Sequence, residues 1–200
     1  MLEKGKGPRL KKLRILEMIE ADLQLVMRVF LGIRMNDRIE MDSRVSKYNY
    51  GSRKGYSIEN ALLEKRLIFD HAKKTGELNV YTISDLEACY DRQIPALCGL
   101  VEESIGANRK VIKLLTKVLP RFEHHVGTAN GVSTDKHGGK NDLLGGTGQG
   151  NMFSGVACRD VSCIIFRKLE KKKIGIIIKS KDKGTIEQRV VIAYVDDADF

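Results

Sequence analysis

Along the chain, stretches in which apolar residues return every three or four positions alternate with stretches in which they return every second one. LKKLRILEMIE (10–20) alternates loosely and reads as a strand that is basic at its start. DLQLVMRVFLGIRM (22–35) has helical spacing, with Asp22 placed to cap it. YNYGSRKGYS (48–57) carries two glycines that interrupt regular structure. The clearest helix is SIENALLEKRLIFDHAKKTG (57–76): Ser57 is an N-cap with Asn60 three residues on, Ala61, Leu62, Leu67 and Ile68 form the apolar stripe, and Gly76 ends it. ELNVYTISDLEACYD (77–91) then changes to period two, rich in β-branched and aromatic residues, and predicts a strand ending near Asp85. Helices follow over IPALCGLVEESIG (94–106) and NRKVIKLLTKVL (108–119), the second stopped by Pro120. HHVGTANGVSTDKHGGKNDLLGGTGQGN (124–151) reads as a glycine-rich loop and MFSGVACRDVSCIIFRKLEKK (152–172) as a helix. IGIIIKSKDKGTIEQRVVIAYVDD (174–197) predicts two strands joined by the KSKDKG turn. Helices and strands alternate without an internal repeat or a low-complexity segment, so the fold class is mixed α and β (α/β or α+β).

Charge adds a direction. The 200 residues carry a formal net charge of +9, concentrated in KGKGPRLKKLR (4–14) and KKK (171–173), a balance that suits an anionic partner such as nucleic acid. The hydrophobic fraction of 42% and the charged fraction of 30% are those of a soluble domain with a core. Cys89, Cys98, Cys158 and Cys163 form no C-x-x-C pair and have no histidine at zinc-finger spacing. They read as small buried hydrophobes in a reducing, intracellular compartment, cytoplasm or nucleus. His124 and His125 receive no role. No signal peptide is expected, and the longest apolar run, VVIAYV, is too short to span a bilayer, so no membrane partner is expected.

The chemistry centres on three carboxylates. Asp85 ends one apolar strand, and Asp196 and Asp197 end another. If those strands are neighbours, the acids meet at one sheet edge, where they repel unless a divalent cation neutralises them. Hard oxygen donors without histidine or cysteine suit magnesium, and a pair of such ions is the two-metal arrangement of phosphoryl transfer. GGTGQGN (145–151), ahead of a helix, is a further feature: an anion-binding backbone nest or a plain flexible loop. It matches neither G-x-G-x-x-G nor the phosphate loop G-x-x-x-x-G-K-[ST].

The order SDLEACYDRQIP, GTGQGNMFSG, YVDD, each on its expected element, resembles the reverse transcriptase family, whose palm carries an Asp-bearing strand, a Gln-Gly loop before a helix and a Tyr-x-Asp-Asp hairpin. YGSRKGYSIENAL looks like its fingers motif Gln-x-Gly-Phe-Arg-x-Gly-x-Ser, and KLRILEMIEADLQ like its first fingers motif. The wording of ACYDR and GTGQGN is nearest to reverse transcriptases of retrotransposons. The resemblance spans nearly the whole chain. Ser52 stands where an aromatic is common, Gln93 is an addition, and the spacing from Asp85 to Gln149 is generous. The returning strand of the catalytic hairpin, the lysine-bearing motif after it, the primer grip and the thumb are expected to be absent.

The resemblance implies a right-hand polymerase fold of fingers and partial palm. Residues 1–76 would be the N-terminal fingers, 77–105 the palm with the first aspartate, 106–148 a fingers insertion with the glycine-rich loop, and 149–200 the palm helix and catalytic strand. It implies a fragment of an RNA-directed DNA polymerase, joining dNTP to a primer 3′-hydroxyl on an RNA or DNA template with two magnesium ions, for which manganese is a substitute. Asp85, Asp196 and Asp197 would be catalytic and metal-bound, and the carbonyl of Leu86 would touch the nucleotide's metal. Tyr90 would lie under the sugar and exclude a 2′-hydroxyl, Gln149 and Gly150 would line the nucleotide site, and Arg14 with Lys12 would close on the triphosphate. Template–primer and dNTP are the implied partners, with other retroelement domains in a longer protein. By itself the 200-residue chain is expected not to extend a primer. Two alternatives stay open: a non-catalytic retroelement remnant that at most binds nucleic acid, and an RNA-directed RNA polymerase, against which YVDD in place of Gly-Asp-Asp and the aromatic at Tyr90 argue.

Overall fold

The computed structural model describes residues 2–3, 13–14, 16, 18–140, 145–179, 186–194 and 197–199, with the backbone alone at 2–3, 13–14, 114–115, 179, 186, 197 and 199. A short antiparallel pair, β1 (Leu2–Glu3) and β2 (Leu13–Arg14), precedes a long helical run: α1 (Ala21–Met27), a π-helical stretch Arg28–Met35, and α2 (Asn36–Met41). The run begins at Ala21, so Asp22 lies inside its first turn, where an acid favours the helix N-terminus, and Glu20 takes the cap position. Then come α3 (Ile58–Thr75), β3 (Ile83–Asp85), α4 (Cys89–Arg92), α5 (Pro95–Ser104) and α6 (Arg109–Val118), the last tightening into a 3-10 turn over Leu119–Arg121 around Pro120. Next are β4 (Glu123–Thr128), β5 (Gly131–Gly138) and α7 (Met152–Lys171). The described chain closes with β6 (Ile176–Lys179), β7 (Ile186–Arg189), β8 (Ile192–Tyr194) and β9 (Asp197–Asp199). The class is mixed α and β.

Two compact units divide the chain: Met1–Arg38 with Tyr90–Ser154, and Ile39–Cys89 with Gly155–Phe200. In the first unit the expected loop over 124–151 is in large part a hairpin, with β4 and β5 antiparallel and His124 opposite His137. Thr128 pairs with Gly131, so Ala129 and Asn130 make the two-residue turn and Gly131, at φ 130°, opens β5 in a conformation that favours glycine.

In the second unit, α3 forms as its ends dictate. Ser57 is extended, its backbone N–H donates to Asn60 Oδ1 at 2.8 Å, and Gly76 ends the helix at φ 70°. Of the expected stripe only Ala61 and Ile68 are buried, while Leu62 and Leu67 are more than half exposed. The reason is the narrow surface they meet: Ala61 and Ile68 pack on Ile192 of β8, with Tyr50, Tyr81, Ile176 and Ile178 around them.

The terminal strands differ from the expected pair. β6 and β7 make one antiparallel hairpin, with Ile176 opposite Arg189. The chain then leaves that ladder at Val190 and Val191, both buried against Tyr48 and Phe166. It starts a second ladder at β8. That sheet has the order β3-β9-β8, antiparallel throughout. The returning strand of the hairpin, expected to be absent, is therefore present as β9, short and central. The other edge of β8 is also paired: Tyr50 N donates to Ala193 O at 2.8 Å and Ala193 N to Tyr48 O at 3.0 Å.

Charges inside this unit hold the loop before α3. Arg53 forks onto Glu40 through Nε and Nη2 (2.8 and 2.7 Å), reaches the carbonyls of Ser46 and Asn49 through Nη1, and stacks over the Tyr56 ring at 4.0 Å. Arg159, fully buried on α7, forks onto the adjacent Asp160 at 2.6 and 3.0 Å and donates to the Ser52 carbonyl at 3.0 Å. Its Nη1 also stands 3.6 Å from Glu40 Oε1. Ser52, at φ 53°, sits in the left-handed region and is held there by that donor.

Cys163 gives the unit a pH limit. Burial pushes its thiol up to about 11, against a weaker downward pull from the Ser46 N–H that it accepts at 3.3 Å. The folded value lies above the unfolded one, so this contribution is whole below the unfolded value near 9.0 and is lost as pH rises through about 11. The urea midpoint should fall between those values, and Cys163→Ala should flatten the fall; an equal alkaline fall in the variant would remove Cys163 as its cause.

Candidate active site

The carboxylates come from the sheet of the second unit. Ser84 pairs with Ala198, which packs on the core around Phe166, and one residue further Asp85 pairs in register with Asp197. Asp85 is exposed at the last position of β3. Antiparallel partners lie about 4.5–5.5 Å apart at Cα. On its other side Asp197 is in register with Tyr194, so only Val195 and Asp196 connect β8 to β9. Two like charges directly across a ladder cost stability. A pair of acidic residues held in register, with oxygen as the only side-chain donor, fits a hard divalent cation. Among the described residues no group of three or more His, Cys, Asp and Glu is close enough to hold a metal, a description that excludes the side chains of Asp196 and Asp197.

The glycine-rich loop belongs to the first unit, and its backbone is tied down. Thr147 N donates to the Tyr90 carbonyl at 2.8 Å, and Thr147 Oγ1 donates to Gln93 Oε1 at 2.8 Å. Gly146, at φ 85°, lies so near α4 that a Cβ there would stand 2.8 Å from both the Tyr90 carbonyl and the Asp91 Cα. Asn151 Oδ1 caps α7 by accepting from Phe153 N and Ser154 N at 3.0 and 2.9 Å. Ser154 Oγ returns to the Thr147 and Gly148 carbonyls at 2.7 and 2.5 Å, and Gln24 Nε2 reaches the Gly150 carbonyl at 3.2 Å. Of the expected anion nest over 145–151, the Thr147 N–H therefore already has an acceptor within the chain, and just beyond it the N–H groups of Phe153 and Ser154 are taken by Asn151.

Asp85 and Leu86 lie at the exposed end of β3, with Asp197 in register across the ladder. Asp196 and Lys12 lie outside the described residues, and Arg14 and Asp197 are described by backbone alone. Tyr90, half-buried in α4, anchors the glycine loop through its carbonyl, and Gln149 is half-buried in that loop with Gly150 exposed beside it. Sequence reasoning missed Gln93 as the acceptor for Thr147, and Asn151 and Ser154 as cap and latch of α7. The Asn-x-x-Ser spacing ahead of an apolar helix carried that signal. Between Asp85 and Tyr90, Ala88 adopts φ 52°, an uncommon conformation for alanine that turns the strand into α4 within a few residues.

No helix among the described residues is long and apolar enough to cross a membrane. No family model matches the chain, and no curated protein matches it.

Proposed function

We propose that the chain carries the palm and fingers of a reverse transcriptase and takes part in two-metal nucleotidyl transfer from dNTP to a primer 3′-hydroxyl. The observation that carries this reading is the register of Asp85 against Asp197, at a hairpin whose connection from Tyr194 is only two residues long. Acid residues distant in sequence are thereby held at one point of a three-stranded sheet, as a magnesium-dependent transferase needs. Supporting it are the order of the motifs and the docking of the GTGQGN loop on the Tyr90–Gln93 segment.

In this reading Asp85 and Asp196, with Asp197 beside them, hold magnesium, and Mn²⁺ substitutes for it. Bound there, the metal supplies a lowered pKa for the primer hydroxyl and neutralises charge on the transferred phosphate. The chain's own part is positioning and electrostatics: the ladder fixes the carboxylate-bearing backbone, and the basic surface tracks the phosphates of the template–primer. Tyr90, Gln149 and Gly150 are assigned to the nucleotide by motif order, with the Tyr90 ring excluding a 2′-hydroxyl.

Mn²⁺ titration followed by electron paramagnetic resonance tests the metal site. The tightest Mn²⁺ association should weaken at least about tenfold, about 1.4 kcal/mol, in both Asp85→Asn and Asp197→Asn. Template–primer binding should persist in both variants and fade as salt rises. Wild-type Mn²⁺ affinity in both variants would remove the two-metal reading.

A further inference from the structure

We infer that Cys89 and Cys158 form a site of reversible covalent modification, a dithiol that closes to a disulfide on reaction with a peroxide or a small-molecule disulfide. The inference stands independently of the proposed activity. Cys89 opens α4 and Cys158 lies within α7, 69 residues apart in sequence, yet their Sγ atoms are 2.7 Å apart. A disulfide bond is about 2.05 Å long, so closure needs a movement of only roughly 0.7 Å, within reach of small side-chain rotations. Both residues are buried, Cys89 at 8% and Cys158 at 2% exposure. Such shielding slows further oxidation once the bond has formed.

The other two cysteines are placed for different roles. Cys163 Sγ accepts the Ser46 N–H, and burial keeps it a thiol. Cys98 belongs to the first unit, its Sγ 3.8 Å from Gln93 Oε1. Cys89, the more exposed of the pair, meets the oxidant first. Its thiolate attacks a peroxide oxygen: an S–O bond forms, the O–O bond breaks, and the leaving oxygen takes a proton to become water. Cys158 then loses its proton and attacks the sulfenic sulfur. The S–S bond forms, the S–O bond breaks and hydroxide leaves as a second water. Two thiols lose two electrons and the peroxide gains them. With oxidised glutathione the same bond forms by two exchanges, releasing two molecules of reduced glutathione.

The bond ties the first residue of α4, four positions after Asp85, to the middle of α7 and closes a long loop. It should therefore stabilise the fold by restricting the unfolded chain. The test uses the native 200-residue chain, treated with hydrogen peroxide or a glutathione redox buffer, blocked with iodoacetamide and digested without reductant. The expected result is a Cys89–Cys158 cross-linked peptide, two hydrogens lighter than the separate peptides and released by phosphine reductant. The urea midpoint of the oxidised chain should exceed that of the reduced one. Cys158→Ser should leave Cys89 as a sulfenic acid or a glutathione adduct. The inference is overturned if both residues remain alkylatable at an oxidant level that has consumed Cys98 or Cys163. It is equally overturned if either one cross-links instead to Cys98 or Cys163, or if Cys89 passes to sulfinic acid without a cross-link. Peptide mapping of the unmutated chain decides between these even where a variant fails to fold.

Discussion

Replacing Arg159 with alanine is expected to lower the free energy of unfolding by about 3–5 kcal/mol, the cost of leaving a buried charge without its partner. The guanidinium is fully buried on α7 and holds both oxygens of Asp160 and the Ser52 carbonyl, with Glu40 close by. Removing it leaves the Asp160 carboxylate, only 2% exposed, without the guanidinium that forks onto both its oxygens. It also frees Ser52 from the contact that holds its left-handed backbone. Arg159→Lys should recover only a small part of the loss, because an ammonium cannot reproduce the planar fork on Asp160. Urea denaturation followed by far-ultraviolet circular dichroism measures both variants. A loss below about 1 kcal/mol in Arg159→Ala would mean that the network contributes no more than an exposed ion pair.

Gly146→Ala should cost about 3 kcal/mol, from two sources. A left-handed alanine is disfavoured by roughly 1–2 kcal/mol. Forcing a methyl into a packed site costs a further 1–3 kcal/mol or so. The atoms it would meet at 2.8–2.9 Å are backbone atoms of Tyr90 and Asp91, which have no rotamer by which to yield. The loop should lift from α4 and release the Thr147 amide from the Tyr90 carbonyl. Hydrogen exchange gives the specific readout: faster exchange at Thr147 in the variant, with the interior of α3 unchanged. Unaltered protection at Thr147 would show that the loop and α4 can separate without loss.

Local signals carried much of the fold. The Ser57 and Asn60 cap and the left-handed Gly76 were readable because each depends on residues a few positions apart; of the period-two stretch before Asp85 only Ile83–Asp85 is strand, with Leu78 and Val80 exposed ahead of it. The β4–β5 hairpin was hidden by its glycines: they suggest a loop by composition, while the chain turns within Ala129 and Asn130 and pairs on both sides. The split of the last apolar run was hidden as well. Val190 and Val191 look like strand interior, but they are buried between two ladders that pair in different directions along the chain. The ion network was invisible for a physical reason. Glu40, Arg53, Arg159 and Asp160 have the sequence appearance of solvated surface charge, and only their meeting makes burial tolerable. Of the candidate site, Asp197 opens β9 and does not end the strand before it, and only the place of Asp85 at a strand end was legible. The short β9 that places Asp197 opposite Asp85 was not, because three residues carry too little pattern.

The register of β3 with β9 also sets a clock on synthesis. Asp85 and Asp197 are 112 positions apart (197 − 85), so a ribosome adding about 5–20 residues per second needs on the order of 10 s to make the partner after the first aspartate has been joined. Throughout that interval β3 has no β9 to pair with, while α3, a local element with its own cap and stop, is free to form. The nascent chain therefore carries an unpaired strand next to a folded helix until its last described residues emerge. A translational pause or a holdase that binds β3 would act in that window, and the acid pair cannot assemble before it closes.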